Sequence, residues 1–535
     1  MKFNNNKTSS GKNDFRRNNN SRDDDFKQDS EEAENIIFPD IKKNLDYIKN
    51  VTGDAVGLVE NSYDIFGGKV KAGIAFIEVI ADKELISWHV IMPLIDSNAG
   101  TGEHADEILS IIQTGIIPAN KTYITGDMQL VISALYNGDT ALFLENSEKA
   151  LVIGSSKLQK RAIEKPENEA TVLGSQESFT DNLDTNVGLI IKRLPMRKLH
   201  FESFTLGRFS RTMAKLVWLD GIANPKIIED VRKRIKSIDI DIVDGLGVLA
   251  ELIEDKPQSI FPKYKQTERP DVVVRSLSKG CFAIISNNSP FAIVAPYTLW
   301  DNFKTMDDYE ERSSTSTYLR FVRYAAFLVS VLATPLYLAF VTYNHAVVPP
   351  SLAINIAQGR EGVPFPTVVE VILMSLAMSI IREAGLRMPG SVGYFIGTLA
   401  AVLIGQAIVT AGYVSASLII VIAVSTISSF AISAVTLLYS SRLLNYFFIL
   451  LAGLFGIFGL INGFVFMFWH LLTLRSFGLP YLYPVIPFDP EQWNDTFIRA
   501  HYKNLKIRSR ILAPFNREKA GRKINKPGNG RKREG

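Results

Sequence analysis

FVRYAAFLVSVLATPLYLAFVTY, residues 321–343, decides the architecture. After its arginine flank it runs for roughly 20 residues almost without charge, enough for a helix to cross about 30 Å of hydrocarbon. Three further apolar stretches follow: SVGYFIGTLAAVLIGQAIVTAG (391–412), VSASLIIVIAVSTISSFAISAVTLLY (414–439) and LLNYFFILLAGLFGIFGLINGFVFMFWHLL (443–472). The second and third are joined by almost nothing, so a helical hairpin is expected there. The fourth is long for one span and is expected to tilt. Between Tyr324 and Leu474 Lys and Arg nearly vanish, whereas before about residue 318 charges are dense and evenly spread. The expected fold class is a multi-pass α-helical membrane domain, 318–475, preceded by a soluble region of two small mixed α/β subdomains.

One segment fits a span poorly. VPFPTVVEVILMSLAMSIIREAGLRMP (363–389) has an apolar centre but carries Glu370, Arg382, Glu383 and Arg387. Each charge near mid-bilayer costs about 2.5–3.5 kcal/mol on insertion scales. Arginines 312, 320 and 323 flank the first span, and residues 503–535 are crowded with Lys and Arg. The positive-inside rule puts both on the cytoplasmic side, which needs an even number of crossings. Four crossings leave Arg442 on the wrong side; five would leave the whole basic tail there. Segment 363–389 is therefore read as interfacial or re-entrant.

The soluble part begins with a polar tail, 1–34, expected to be disordered because it has too little apolar surface to bury. It has no apolar core, so no cleavable signal peptide is expected and the soluble region is placed in the cytoplasm. Subdomain 1 covers 35–155. VKAGIAFIEVI (70–80) reads as a strand, and DKELISWHVIMPLI (82–95) as a helix capped by Asp82. MQLVISALYNG (128–138) reads as a helix, and DTALFLENSEKALVIG (139–154) as two strands about a turn. Subdomain 2 covers 156–312. SRTMAKLVWLDGI (210–222) is strand-like. NPKIIEDVRKRIKSI (224–238) is a helix capped by Asn224 with Pro225 at its first position, and LGVLAELIED (246–255) is another. VVVRSL (272–277), CFAIIS (281–286) and FAIVAP (291–296) read as short strands. No regular βαβ period and no repeat is evident. Residues 476–535 are read as a basic cytoplasmic tail.

Composition excludes several functions. The net charge is +4 over 535 residues, too small to imply nucleic acid. The one cysteine, Cys281, rules out an internal disulfide and a cysteine-cluster metal site. No P-loop, GxSxG or HExxH motif occurs, and the six histidines are scattered. No catalytic, cofactor or metal site is expected, and so no enzyme. The basic tail faces anionic lipid more simply than nucleic acid, since aromatics are not interleaved with its charges.

Polar groups inside a membrane segment mark pathways by default. The candidate pathway or gating residues are Glu370, Arg382, Glu383, Arg387 and Gln406. Glu383 and Arg387 form an i,i+4 pair of favourable order, which fits either a helix end anchored at the interface or an amphipathic helix lining a water-filled passage. Serines and threonines at 425–429 serve as helix–helix glue or line that passage.

These residues carry a resemblance. RAIEKPENEATVLGSQESFTDNLDTNVGLIIKR (161–193), ERPD (268–271), SPF (289–291) and DDYEER (307–312) resemble the A subunits of the nutrient germinant receptors of endospore-forming bacteria, the GerA family. VPFPTVVE (363–370), IREAGLRMPGSVG (381–393), IGQAIVTAG (404–412) and RSFGLPYLYPVIPF (475–488) continue the match, over roughly 60–500. The chain departs from the family pattern at Gln176, Ser375 and Thr410. The resemblance implies a receptor with a transporter-like, germinant-binding B subunit and a lipoprotein C subunit. It implies a homo-oligomer acting as a germinant-gated ion channel in the spore inner membrane. It also marks Arg161, Glu164, Glu169, Glu177, Asn186 and Arg193 as candidate subdomain-interface residues. The alternatives are a secondary transporter, against which no inverted repeat is visible, or a non-conducting signalling scaffold.

Overall fold

Asn44 and Asn186 perform the same task in two places. In each, the buried side-chain amide clasps the backbone six residues earlier. The Phe38 N–H donates to Asn44 Oδ1 at 2.8 Å and Asn44 Nδ2 donates to the Phe38 carbonyl at 2.6 Å. The Thr180 N–H donates to Asn186 Oδ1 at 2.8 Å and Asn186 Nδ2 donates to the Thr180 carbonyl at 2.6 Å. The computed structural model of the chain describes residues 36–52, 57–97, 105–117, 121–157, 166, 169, 173–387 and 405–519. The described residues fall into two compact units, one ending at Ala162 and including Val187–His200, the other taking Ile163–Asn186 and the chain from Phe201 onward.

The paired asparagines belong to an internal repeat. The first copy runs α1 (Ile41–Thr52), β1 (Leu58–Ile65), β2 (Val70–Ile77), helical segments over 83–96 and 105–116, β3 (Thr122–Thr125), α2 (Met128–Tyr136), β4 (Thr140–Leu144) and β5 (Ala150–Ile153). The second runs α3 (Leu183–Arg193), β6 (Leu199–Leu206), β7 (Thr212–Leu219), α4 (Pro225–Lys236), α5 (Leu246–Ile253), β8 (Lys265–Thr267), α6 (Pro270–Lys279), β9 (Phe282–Ser286) and β10 (Ala292–Ala295). Each copy forms a five-stranded sheet of the same order, β1-β2-β4-β5-β3 and β6-β7-β9-β10-β8. The three central strands start 142 residues apart, Val70 to Thr212, Thr140 to Phe282 and Ala150 to Ala292.

Local chemistry repeats with the topology. Gly138 and Gly280 stop α2 and α6 with φ of 88° and 98°, a conformation that favours glycine. Asn146 and Asn288 turn the following hairpins at φ 66° and 61°, where asparagine is tolerated. The absence of a repeat in the sequence reading is thus corrected. The strand reading of 272–277 is also corrected. Its β-branched run is α6, begun by Pro270 and ended by Gly280, with Val272, Val273 and Leu277 turned inward. Tertiary packing overrides propensity there.

The apolar helices follow the second copy within the same unit. They are α7 (Ser313–Thr342), α8 (Pro350–Gln358), α9 (Thr367–Arg387), a helical stretch over 405–410, α10 (Ala416–Phe430) and α11 (Val435–Thr473). Most of the stretch expected to span at 391–412 lies outside the described residues. Two expectations change. The stretch 414–439 is not one helix: α10 ends at Phe430 and the chain restarts at Val435, with the Ser433 hydroxyl donating to the Asn302 carbonyl. The stretch 443–472 is not one tilted span. At Gly456 the backbone turns (φ 61°, ψ −141°), and α11 folds back as two antiparallel arms. Phe448 stacks on Phe464 at 5.2 Å and Phe447 on Phe466 at 6.1 Å. A Cβ on Gly459 would lie 2.2 Å from the Leu451 carbonyl oxygen, so only glycine lets the arms approach this closely. The turn is fastened to the end of α7, because the Tyr343 hydroxyl donates to the Gly453 carbonyl at 2.7 Å.

Segment 363–389 is likewise part of the bundle. Val371 and Met374 of α9 share a core with Leu338, Leu418 and Phe448. A spacing of three and four residues gives α9 one inward face. Residues 476–519 pack against the second copy and the helices. Tyr481 is fully buried, and its carbonyl accepts from the Leu299 N–H at 3.0 Å.

Replacing either clamp asparagine strands buried polar groups, so Asn44→Ala and Asn186→Ala are each expected to cost roughly 1–3 kcal/mol. Lowered urea midpoints for both variants would bear this out. Wild-type midpoints would show that the clamps carry no stability.

Candidate functional site

The polar residues gather in two places, both in the second unit. The first is built on DDYEER. Asp308 is almost fully buried. Arg320 Nε donates to one of its oxygens at 2.9 Å and an Arg323 amino group donates to the other at 2.8 Å. Both arginines sit on the first turns of α7, and Arg320 is itself fully buried. The Thr305 hydroxyl also donates to Asp308, and the Ser316 hydroxyl donates to its carbonyl. Buried charges persist only when paired and hydrogen-bonded, and this carboxylate is satisfied at both oxygens.

Tyr309 extends the cluster. Its hydroxyl donates to Asp495 at 2.8 Å, and the Arg275 guanidinium lies 3.3 Å from its ring centre. Arg320 and Arg499 approach the same ring at 5.6 Å. Asp495 also accepts from Arg320 and lies 3.9 Å from Lys279. Arg499 Nε donates to the Asp308 carbonyl at 3.1 Å. One charged cluster therefore joins α6, the start of α7 and the segment after α11. Aromatic contacts back it, with Trp300 against Phe497 at 4.8 Å and Phe303 against Tyr324 at 4.4 Å. A cavity of about 130 Å³ opens beside it, lined by Arg275, Lys279, Lys304, Tyr309, Asp495 and Arg508 among others. Burial pushes the Asp495 carboxyl up, but Lys304, Lys279 and Arg320, with the donating Tyr309 hydroxyl, outweigh it and hold the group at about 2. Asp301 is held low in the same way, burial being outweighed by Lys304 and Lys279.

The second place lies among the apolar helices. Glu370 is fully buried near the start of α9 and accepts from the Ser415 N–H at 2.6 Å. Ser415 is the N-cap of α10, so the carboxylate faces the positive end of that helix. Arg360 stands 3.8 Å away. Arg382 reaches a separate, smaller polar cavity between α7, α9, α10 and α11. Glu383 is exposed on the next position of α9, and Gln406 is exposed at the start of the 405–410 turn. Arg387 ends α9, and its side chain lies outside the described residues. The five candidates are thus spread over the bundle, with Glu370 and Arg382 at different inward sites.

Of the candidate interface residues, Arg161 and Glu164 lie outside the described residues. Glu169 is tied to the second copy: the Thr267 hydroxyl donates to it, Lys265 pairs with it at 3.2 Å, and its N–H donates to Glu268 at 2.8 Å. Asn186 is the clamp described above. The Glu177 N–H donates to the Ser175 hydroxyl at 3.3 Å, and Arg193 sits in the last turn of α3. Sequence reasoning missed Asp308, Tyr309, Arg320, Asp495 and Arg499 as one site. They are as far as 191 residues apart in the chain, and only the density of charge in DDYEER marks the place. Among the described residues no group of acidic, histidine or cysteine side chains could hold a metal ion.

Residues 46–511 match the family model described as Bacillus/Clostridium GerA spore germination protein. Spore germination protein GerLA of Bacillus cereus is 33% identical over 470 residues, 87% of this chain and 94% of that one. Spore germination protein KA of Bacillus subtilis is 33% identical over 475 residues, 88% of this chain and 86% of that one. A Bacillus subtilis protein named uncharacterized membrane protein YfkQ is 34% identical over 488 residues, 91% of this chain and 94% of that one. Among solved structures, the N-terminal domain of the A subunit of the Bacillus megaterium spore germinant receptor GerK3 is 26% identical. It covers 49% of this chain and 96% of its own, with a TM-score of 0.38.

Asp308→Asn would leave Arg323 without its carboxylate and Arg320 with Asp495 alone, at a cost of roughly 3–5 kcal/mol. A fall in Tm large against that of Lys233→Gln, an exposed lysine on α4, is the expected reading. For Asp495 the folded carboxyl lies below its unfolded value, so its contribution is present above pH 4 and lost as pH falls toward about 2. Asp495→Asn should therefore flatten the acid limb of the stability profile in that window. An unchanged acid limb would count against the cluster.

Proposed function

The chain belongs to the GerA spore germination family, and on that premise we propose that it serves as the A subunit of a nutrient germinant receptor. The family match carries this reading, because it extends from 46 to 511, across both α/β copies and the apolar helices. The subunit signals and does not catalyse. It works with a B subunit that binds the germinant and a lipoprotein C subunit.

Its helices sit in a membrane as a multi-pass bundle. Ser313–Thr342 is long and apolar enough to cross one, and the two apolar arms of Val435–Thr473, turned back at Gly456, pack beside it. Their outer faces also suit lipid or a neighbouring copy, with Leu450 58%, Phe458 69% and Trp469 63% exposed. The arms of α11 start and end beside the second α/β copy, where Ser440 donates to the Ile260 carbonyl and Ser259 bonds His470. Both ends of the bundle then share one side, the cytoplasmic one. Arg442 falls two turns into α11 on that same side, so it no longer offends the positive-inside rule.

Several copies assemble into a germinant-gated ion channel. Germinant binding elsewhere in the complex favours the open state through differential affinity for the two states. The charged cluster at Asp308 passes the change from the α/β copies to α7. Buried Glu370 fastens α9 to α10 and lies on the ion pathway.

Deleting the coding sequence from spores of the native host should abolish cation release on exposure to the cognate nutrient. Reconstituted complex should conduct on germinant addition, and Glu370→Ala should lower the flux. Equal flux for Glu370→Ala and wild type would remove Glu370 from the pathway, and no flux from any wild-type preparation would remove the channel.

A further inference from the structure

We infer that the helical bundle holds a single small inorganic anion of halide size between Arg382 and Arg442. Both arginines line one cavity of about 30 Å³ between the helices, together with Ser375, Ser425, Thr426 and Asn445. That space holds one or two water-sized bodies. It suits chloride and is too small for a gluconate.

The case rests on a charge imbalance. Arg382 donates to Ser379 Oγ at 3.0 Å and reaches Thr426 Oγ1 at 3.4 Å. Arg442 lies over the Tyr439 ring at 5.4 Å. The Nε atoms of both arginines are buried and have no acceptor among the described residues. The surrounding groups are neutral and already engaged: Ser425 donates to the Ser330 carbonyl at 2.8 Å, and Asn445 donates to the carbonyls of Ser330 and Val331. Tyr446 donates to the Ser375 carbonyl at 2.9 Å and bonds Ser379 at 2.8 Å. Among the described residues no carboxylate lines the cavity.

The chain has little to offer from elsewhere. Between Val371 and Phe488 it holds one acid, Glu383, which is exposed on the adjacent position of α9. The stretch 388–404 contains no Asp or Glu. Glu370 is taken up at the α10 N-terminus. Water could satisfy the orphaned N–H groups but not balance two like charges held beside one cavity, which call for a counter-charge. An anion supplies both.

The test uses the full chain purified in detergent, with Tm measured at constant ionic strength as sodium gluconate is replaced by sodium chloride or bromide. Chloride and bromide should each give a saturable rise in Tm, as for any ligand that binds only the folded state. Arg382→Gln and Arg442→Gln should each abolish the rise. Thr426→Asp would place a carboxylate within reach of Arg382. It should raise Tm in gluconate toward the wild-type value in chloride and abolish the halide dependence, which keeps the inference testable if an arginine variant fails to fold. Identical wild-type Tm values in gluconate and chloride would overturn the inference. So would a halide-dependent rise that persists in Thr426→Asp or in both arginine variants.

Discussion

A buried carboxylate that must be neutralised governs this protein. Asp308 has almost no access to solvent, and two guanidiniums on α7 meet its two oxygens. Desolvating that many charges costs several kcal/mol per ion and is offset only in one geometry. The start of α7 is therefore fixed against the 299–310 segment. The same arginine reaches Asp495, so the segment after α11 is fixed with it. Beginning and end of the helical bundle are thus bound to one α/β copy.

The proposed signalling role has a mechanical route. A rearrangement of the second α/β copy would move α6, and Arg275 and Lys279 of α6 lie against Tyr309 and Asp495. Charged clusters of this kind are bistable when an alternative pairing exists, because an unpaired buried charge is too costly to populate. Arg275, Lys279, Arg320 and Arg499 around one tyrosine supply such alternatives.

Much of the fold is legible in the sequence where one residue dictates local geometry. Asp82, Asp127 and Asn224 cap the helices that follow them, and Pro225 opens α4. The repeat is harder to see, since few residues survive in both copies. Among those that do are constrained ones, Asn44 with Asn186, Gly138 with Gly280 and Asn146 with Asn288, and a comparison of 138–154 with 280–296 would expose it. The α11 hairpin is illegible from hydropathy, because Gly456 looks like any other glycine in an apolar run. Of the candidate site, composition picks out Glu370 and Arg382 as costly groups. It cannot separate them into two environments, because that depends on which helices pack together.

The most direct measurement of the central claim is a double-mutant cycle read as nutrient-triggered cation release from intact spores, using Asp308→Asn, Arg320→Gln and their combination at equal protein abundance. If the Asp308 cluster couples the α/β copies to the helices, each single variant loses most of the response. The combination then does no further harm, since both changes break one link. Wild-type release from the Asp308→Asn spores, or losses that multiply in the combination, would contradict it.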